Sequence, residues 1–247
     1  MPLEGALPPL AERASELNAA LRGHGATAVI ERALSDPGVG RIALVSSFGA
    51  ESVALLHLVA AVDRTVPVLF LETGMLFAET LDYQRSVAER LGLTDVRLIR
   101  PSGLAEEDPD GTLHRSDPDA CCALRKTAPL AEALGPFDAW ITGRKRYQGG
   151  RRAAIDFFEA ADGRLKVNPL ARWTQADVQD YMANNGLPRH PLVARGYPSI
   201  GCAPCTQPVA PGEDARAGRW RGTDKAECGI HFENGRAVRG PTRRDAA

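Results

Sequence analysis

A chain of 247 residues, 44% hydrophobic and 25% charged, is long enough for one sizeable α/β domain with a closed core, or for one domain and an extended tail. The formal net charge of −1 excludes a general nucleic-acid or membrane-surface binder, because nonspecific affinity for a polyanion needs a sustained positive field; any anion site must be built locally. No apolar stretch approaches membrane-spanning length, and the opening MPLEGALPPLAERASELNAAL has acidic residues and prolines where an export signal needs a basic start and an unbroken apolar run. The sequence therefore predicts a cytoplasmic protein, in which five cysteines read as metal or redox chemistry more readily than as disulfides.

Apolar positions recur at helical spacing over residues 10–34, and Asp36-Pro37-Gly38 ends the run. Residues 41–45 are a short aliphatic run suited to a buried strand. The loop SSFGAES (46–52) follows at once, and 53–62 then reads as an apolar helix. Strand, small-residue loop and helix together turn backbone N–H groups and a helix N-terminus toward an anion. The alternation continues with strands over 66–71, 95–99 and 139–142 and helices over 78–91 and 120–134. This predicts an α/β fold, a parallel sheet with crossover helices, whose ligand sits beyond the strand carboxyl ends, where 46–52 and 143–152 lie.

Past Arg152 the pattern changes. Residues 154–159 and 165–167, joined across Asp162-Gly163, read as a hairpin, and Thr174 with Asp177 three residues on reads as a capping-box helix start. After Gly186 the chain is rich in Pro, Gly and Arg, which predicts loops and a mobile tail. The expected organisation is an N-terminal helical segment (1–40), a central domain (41–210) and a C-terminal tail (211–247).

The cysteines fall into two pairs, Cys121 with Cys122 and Cys202 with Cys205, and one single, Cys228. Four thiolates would satisfy a structural zinc ion. Adjacent residues on a helix, however, point roughly 100° apart, an awkward bite for one tetrahedral ion, whereas a cubane offers separate irons to separate sulfurs. Iron–sulfur is favoured and zinc stays open. Lys126 lies four residues after Cys122, on the same face of a regular helix, where a cation lowers the cost of thiolates and can also face an anionic substrate. Cys228, among Glu227, Gly229 and His231, is a poor core site and a plausible nucleophile.

In SSFGAES (46–52), LETGMLFAET (71–80), CCALRK (121–126), GCAPCT (201–206), PGEDARAGRW (211–220) and ECGIH (227–231), the chain resembles the assimilatory adenylyl-sulfate (APS) and phosphoadenylyl-sulfate (PAPS) reductases, over about residues 41–231. Each motif is weak by itself; their order and combination are specific. The resemblance implies an ATP-pyrophosphatase-type, adenine nucleotide alpha hydrolase-like fold and a [4Fe-4S] cluster on Cys121, Cys122, Cys202 and Cys205. Cluster-bearing members belong mainly to the APS-using branch, so APS is the expected substrate. The thiolate of Cys228 would attack its sulfur to form an S-sulfocysteine and expel AMP, with Lys126, Arg216, Arg219 and His231 around the phosphosulfate. Ser46 and Ser47 would face the nucleotide, and Arg152 aligns with a ribose-contacting arginine. Since no cysteine remains to resolve the intermediate, the reductant is external, thioredoxin or glutaredoxin in this family. A homo-oligomer is compatible with the sequence. Glu72, where many relatives carry Asp, and Gly149, where many carry Ser, depart from the pattern and bear on the nucleotide contacts.

Three other readings compete. A PAPS reductase would need further cations for the 3′-phosphate, which Arg144, Lys145 or Arg146 could supply. An ATP-dependent PP-loop ligase or tRNA-thiolating enzyme shares the fold but uses a loop closer to SGGxDS and gives ECGIH no task. A zinc-stapled binding module leaves Cys228, Arg216 and Arg219 without a role.

Overall fold

The computed structural model describes residues 8–222 and the strand segments Phe232–Glu233 and Arg236–Ala237. The helical run over 10–34 is not one helix but two, α1 (Leu10–Ala20) and α2 (Ala26–Ser35). Gly23 and Gly25 fall between them, and glycine is costly inside a helix. Ala14 and Leu17 of α1 and Val29, Ile30 and Ala33 of α2 enter the main core.

The strands β1 (Ile42–Ser46), β2 (Val68–Leu71), β3 (Val96–Ile99), β4 (Ala139–Ile141), β5 (Phe158–Ala161) and β6 (Arg164–Val167) form a six-stranded sheet in the order β3-β2-β1-β4-β6-β5. All neighbours are parallel except β5 with β6. IALVS, VLFL and AWI are nearly unbroken apolar runs, as strands covered on both faces require. Asp162 (φ 54°) and Gly163 (φ 71°) supply the two left-handed residues of a tight hairpin turn. Through β6 the hairpin extends the parallel sheet beside β4, a role not read from its sequence.

From β1 the chain steps outward to β2 and β3, then returns to place β4 on the opposite side of β1. The loops leaving β1 and β4 therefore part at a topological switch point, where open α/β sheets carry their ligands.

The crossover helix α3 (Ser52–Val62) is apolar almost all round and buries Val53, Leu55, Leu56, Leu58 and Val59, as a helix inside a core must. It is followed by α4 (Ala78–Leu91), closed by Gly92 in the left-handed conformation, with Leu93 N–H bonded to Ala88 O. Two one-turn helices, α5 (Leu104–Glu107) and α6 (Leu113–Ser116), lead into the cysteine helix. The helix expected over 120–134 is broken into three: α7 (Pro118–Cys122), a π-helical turn (Ala123–Thr127) and α8 (Ala128–Ala133). Later, α9 (Gln175–Asn184) starts with the anticipated capping box, Asp177 N–H to Thr174 Oγ1 at 3.1 Å and Thr174 N–H to Asp177 Oδ2 at 2.7 Å.

After α9 and up to residue 222 the chain forms loops and 3₁₀ turns, as its composition predicts, whereas Phe232–Glu233 and Arg236–Ala237, in the expected tail, pair as a short antiparallel ribbon. His190 fastens the segment after α9 to α4. Its Nδ1 accepts from Leu192 N–H (3.2 Å), which leaves Nε2 to donate to Thr80 Oγ1 (3.1 Å). Burial pushes this imidazole down to about 4, so it stays neutral. Among the described residues no helix is long and apolar enough to cross a membrane.

Candidate active site

The loop after β1 is tightly self-bonded. Phe48 N–H donates to Ser46 Oγ (3.2 Å) and Gly49 N–H to Ser52 Oγ (3.0 Å). Phe48 holds a left-handed φ of 46°, a strain of about 1–3 kcal/mol, offset by full burial edge-on against Phe70. Ser46 is thus buried and occupied with the turn, while Ser47 is exposed, 3.5 Å from Ser52 Oγ.

Facing it, the loop after β4 contributes a ring of polar groups. Lys145 Nζ donates to Glu51 Oε2 (2.8 Å), and the Tyr147 hydroxyl donates to the same carboxylate (2.8 and 2.9 Å). Burial pulls Lys145 down and the Glu51 charge pushes it back up. Arg144 bonds Glu159 and Asn168, Arg146 lies 3.5 Å from Asp156 and bonds Ile155 O, and Arg152 bonds Gln148. The three cations available in sequence for a 3′-phosphate are each tied to a carboxylate of the protein.

The cysteines come from two segments. Asp117 caps α7, accepting from Asp119 and Ala120 N–H, and so fixes the turn that ends in Cys121 and Cys122. The π turn that follows is wider than an α turn, so Lys126 does not stand one regular α turn from Cys122; it lines the cavity, and its charge acts on Cys205. The second segment is pinned beside residues 73–76 by Ala203 N–H to Met75 O (2.7 Å) and a bridge between Leu76 and Cys202. Thr73 Oγ1 lies 3.3 Å from Cys202 Sγ. The four thiols form no disulfide with one another and share one electrostatic neighbourhood. Burial, then Cys122, pushes Cys121 up to about 11; burial, then Cys202, does the same to Cys205; Arg125 opposes the first shift, Lys126 and Arg219 the second. Among the described residues no group of three His, Cys, Asp or Glu is arranged to hold a metal ion.

The arginine segment folds back on the C-x-x-C turn. Gln207 N–H bonds Gly218 O (2.8 Å), Trp220 N–H bonds Cys205 O (3.1 Å), and Thr206 bridges Arg219. Arg219 is buried with its guanidinium 4.4 Å over the Trp220 ring, and Arg216 lies 6.0 Å from the same ring.

These loops enclose a cavity of about 700 Å³ at the switch point. Ser46, Ser47, Lys126, Arg152, Cys202, Arg216 and Arg219 all line it, although they come from distant parts of the chain. Of the four cysteines Cys202 alone lines the wall; the charges of Cys121 and Cys205 couple to it, and that of Cys122 to both of these, from outside the lining. Cys228 and His231 lie outside the described residues.

The family model for the phosphoadenosine phosphosulfate reductase domain matches residues 41–208. The chain belongs to that family. It is 54% identical over 206 residues to a protein of Mesorhizobium japonicum named adenosine 5′-phosphosulfate reductase, covering 83% of this chain and 81% of the relative. A protein of the same name from Chelativorans is 52% identical over 222 residues, with coverage of 89% and 91%. Among solved structures, phosphoadenylyl-sulfate (PAPS) reductase from Candida auris, in a phosphate complex, superposes with a TM-score of 0.70 at 26% identity, covering 83% of this chain and all of that one.

Within this reductase-family framework, Glu51, Tyr147, Arg125 and Lys166 take part in the site although sequence reasoning left them without a role there. Glu51 sits inside SSFGAES, yet nothing local shows that it meets Lys145 and Tyr147, nearly a hundred residues on. Arg125, within CCALRK, is buried and spans Asp108 Oδ2 (2.5 Å) and Thr73 O (2.9 Å), tying the cysteine helix to the loop after β2. Lys166 carried a faint signal, a lone cation between Leu165 and Val167 in a strand buried along most of its length.

Proposed function

We propose that this chain is an adenylyl-sulfate reductase, which reduces APS to sulfite and AMP in assimilatory sulfate reduction. The observation that carries the reading is the shared cavity, where the strand-end loops suited to a nucleotide meet Lys126, Arg152, Arg216, Arg219 and the edge of the cysteine group. The names of the 54% and 52% identical relatives support it.

APS is a mixed phosphate–sulfate anhydride. The Cys228 thiolate attacks the sulfate sulfur, the S–O bond to the phosphate breaks, and AMP departs with the electron pair. Lys126, Arg216, Arg219 and His231 supply fixed positive charge for the attacked and departing anions. An external thiol then attacks Sγ of the S-sulfocysteine, forming a mixed disulfide and expelling sulfite. The second thiol of a thioredoxin- or glutaredoxin-type protein resolves that disulfide and frees Cys228.

Cys121, Cys122, Cys202 and Cys205 fit a [4Fe-4S] cluster. They form no disulfide with one another, come from two segments, and have Arg125, Lys126 and Arg219 near enough to offset thiolate charge; Arg125 Nε is itself buried without a hydrogen bond to any described residue. Among the described residues no three such side chains are arranged around a single ion; the adjacency of Cys121 and Cys122 is what favours a cubane, with separate irons for separate sulfurs, over one tetrahedral zinc. When bound, the cluster would polarise the neighbouring cations and the substrate beside them.

The engagement of Arg144, Lys145 and Arg146 with Glu159, Glu51 and Asp156 favours APS over PAPS. The deciding experiment is anaerobic sulfite release from APS and from PAPS with thioredoxin, for the wild type and Cys228→Ser. Release from APS that vanishes in the variant is the expected result. Release that survives the substitution overturns the mechanism, and no release from the iron-loaded protein overturns the function.

A further inference from the structure

Lys166 lies on β6 in register between Trp140 of β4 and Glu159 of β5. Its side chain is buried, lines the cavity, and holds Nζ 4.3 Å over the Trp140 ring. The charged groups around it are Arg144 and Arg152, which oppose its charge, and Glu159 and Asp162, which favour it. Glu159 is already committed, its Oε2 accepting from Arg144 and from Asn168 Nδ2 (2.7 Å). Lys166 itself makes no ion pair or hydrogen bond with any described residue.

A buried cation facing a cavity with no protein counter-ion is stable only if it sheds its proton or if a ligand supplies negative charge. We propose that Lys166 is a nucleotide-binding residue whose ammonium takes its counter-charge from an anionic group of the bound adenine nucleotide. The proposal rests on the reading of the cavity as an adenylyl-sulfate site and adds a contact to it. Burial, then Arg144, brings this lysine down to about 7 in the free protein. Nucleotide binding above neutral pH must then return its proton.

The test is calorimetric titration of the iron-loaded protein with AMP at about pH 8, in buffers of differing ionisation enthalpy, which counts the protons taken up. The wild type takes up a large fraction of one proton. Lys166→Arg, always charged, binds without that uptake, and Lys166→Met loses both the uptake and about tenfold or more in affinity. AMP binding by the wild type with no proton uptake, or uptake undiminished in Lys166→Arg, overturns the inference and leaves the function standing. Failure of the wild type to bind either AMP or APS overturns the function and the inference with it.

Discussion

Lys145 donates from Nζ to Glu51 Oε2 at 2.8 Å, joining the loop after β4 to the N-terminal end of α3 across the switch point. Glu51→Gln leaves a buried ammonium without its carboxylate and should cost about 3 kcal/mol near neutral pH. Burial already holds Lys145 below its usual range, so between its folded and unfolded pKa the unfolded chain binds more protons and stability rises with pH. The deficit in urea unfolding should therefore be smaller at pH 10 than at pH 7. An equal deficit at both would show that Lys145 carries the same charge in the wild type and the variant across that range, so that Glu51 does not hold its proton.

A methyl group at Gly201 would meet the Arg219 guanidinium, a flexible tip that can swing away. One at Gly218 would meet the backbone carbonyl of Gln207, which is held by the pairing between the two segments. Gly201→Ala should thus lower kcat/KM for APS by about tenfold or more through loss of Arg219 positioning, with little change in melting temperature. Gly218→Ala should instead lower the temperature at which residues 206–220 open, read by hydrogen exchange. Full activity in Gly201→Ala would show that Arg219 is not needed where it stands.

Arg125 bonds Asp108 at 2.5 Å, and this, with Leu113 N–H, holds the Asp108 carboxyl below its ordinary range. A carboxylate with a depressed folded pKa stabilises the fold above its unfolded pKa, about 3.9, and loses that contribution as pH falls through the folded value. Asp108→Asn should be less stable than the wild type at pH 7, and the gap should close in acid below about pH 4. A gap that stays constant from pH 7 to pH 2 would mean that the ion pair contributes nothing.

Cys202 anchors the second thiol pair beside Thr73 and Leu76. Cys202→Ser should lose most of its iron and acid-labile sulfide when purified anaerobically, with no zinc in their place, and sulfite release should fall in parallel. Stoichiometric zinc in the wild type would restore the structural-zinc reading.

Much of the fold was legible because parallel strands covered on both faces must be apolar throughout, and the runs at 42–46, 68–71 and 139–141 could be little else. The capping box at Thr174 and the Asp162-Gly163 turn were legible for a similar reason, since each is specified by neighbours within a few residues. The split at Gly23 and Gly25 and the π turn at 123–127 were missed. Apolar periodicity runs through both places, and a turn of helix underwound by one hydrogen bond leaves no mark in residue spacing.

The sequence by itself determined the chemistry available: paired thiols, a single Cys228, and cations at Lys126, Arg152, Arg216 and Arg219, in an order that marks the reductase family. Tertiary structure decided which of these face one another. Placing β4 beside β1 sets Lys145 against Glu51, and pairing 206–207 with 218–219 carries Arg219 to the cavity. Which cation is neutralised by the protein, as Lys145 is, and which is left facing the cavity, as Lys166 is, depends on distances and burial between residues far apart in the chain, and only the fold sets them.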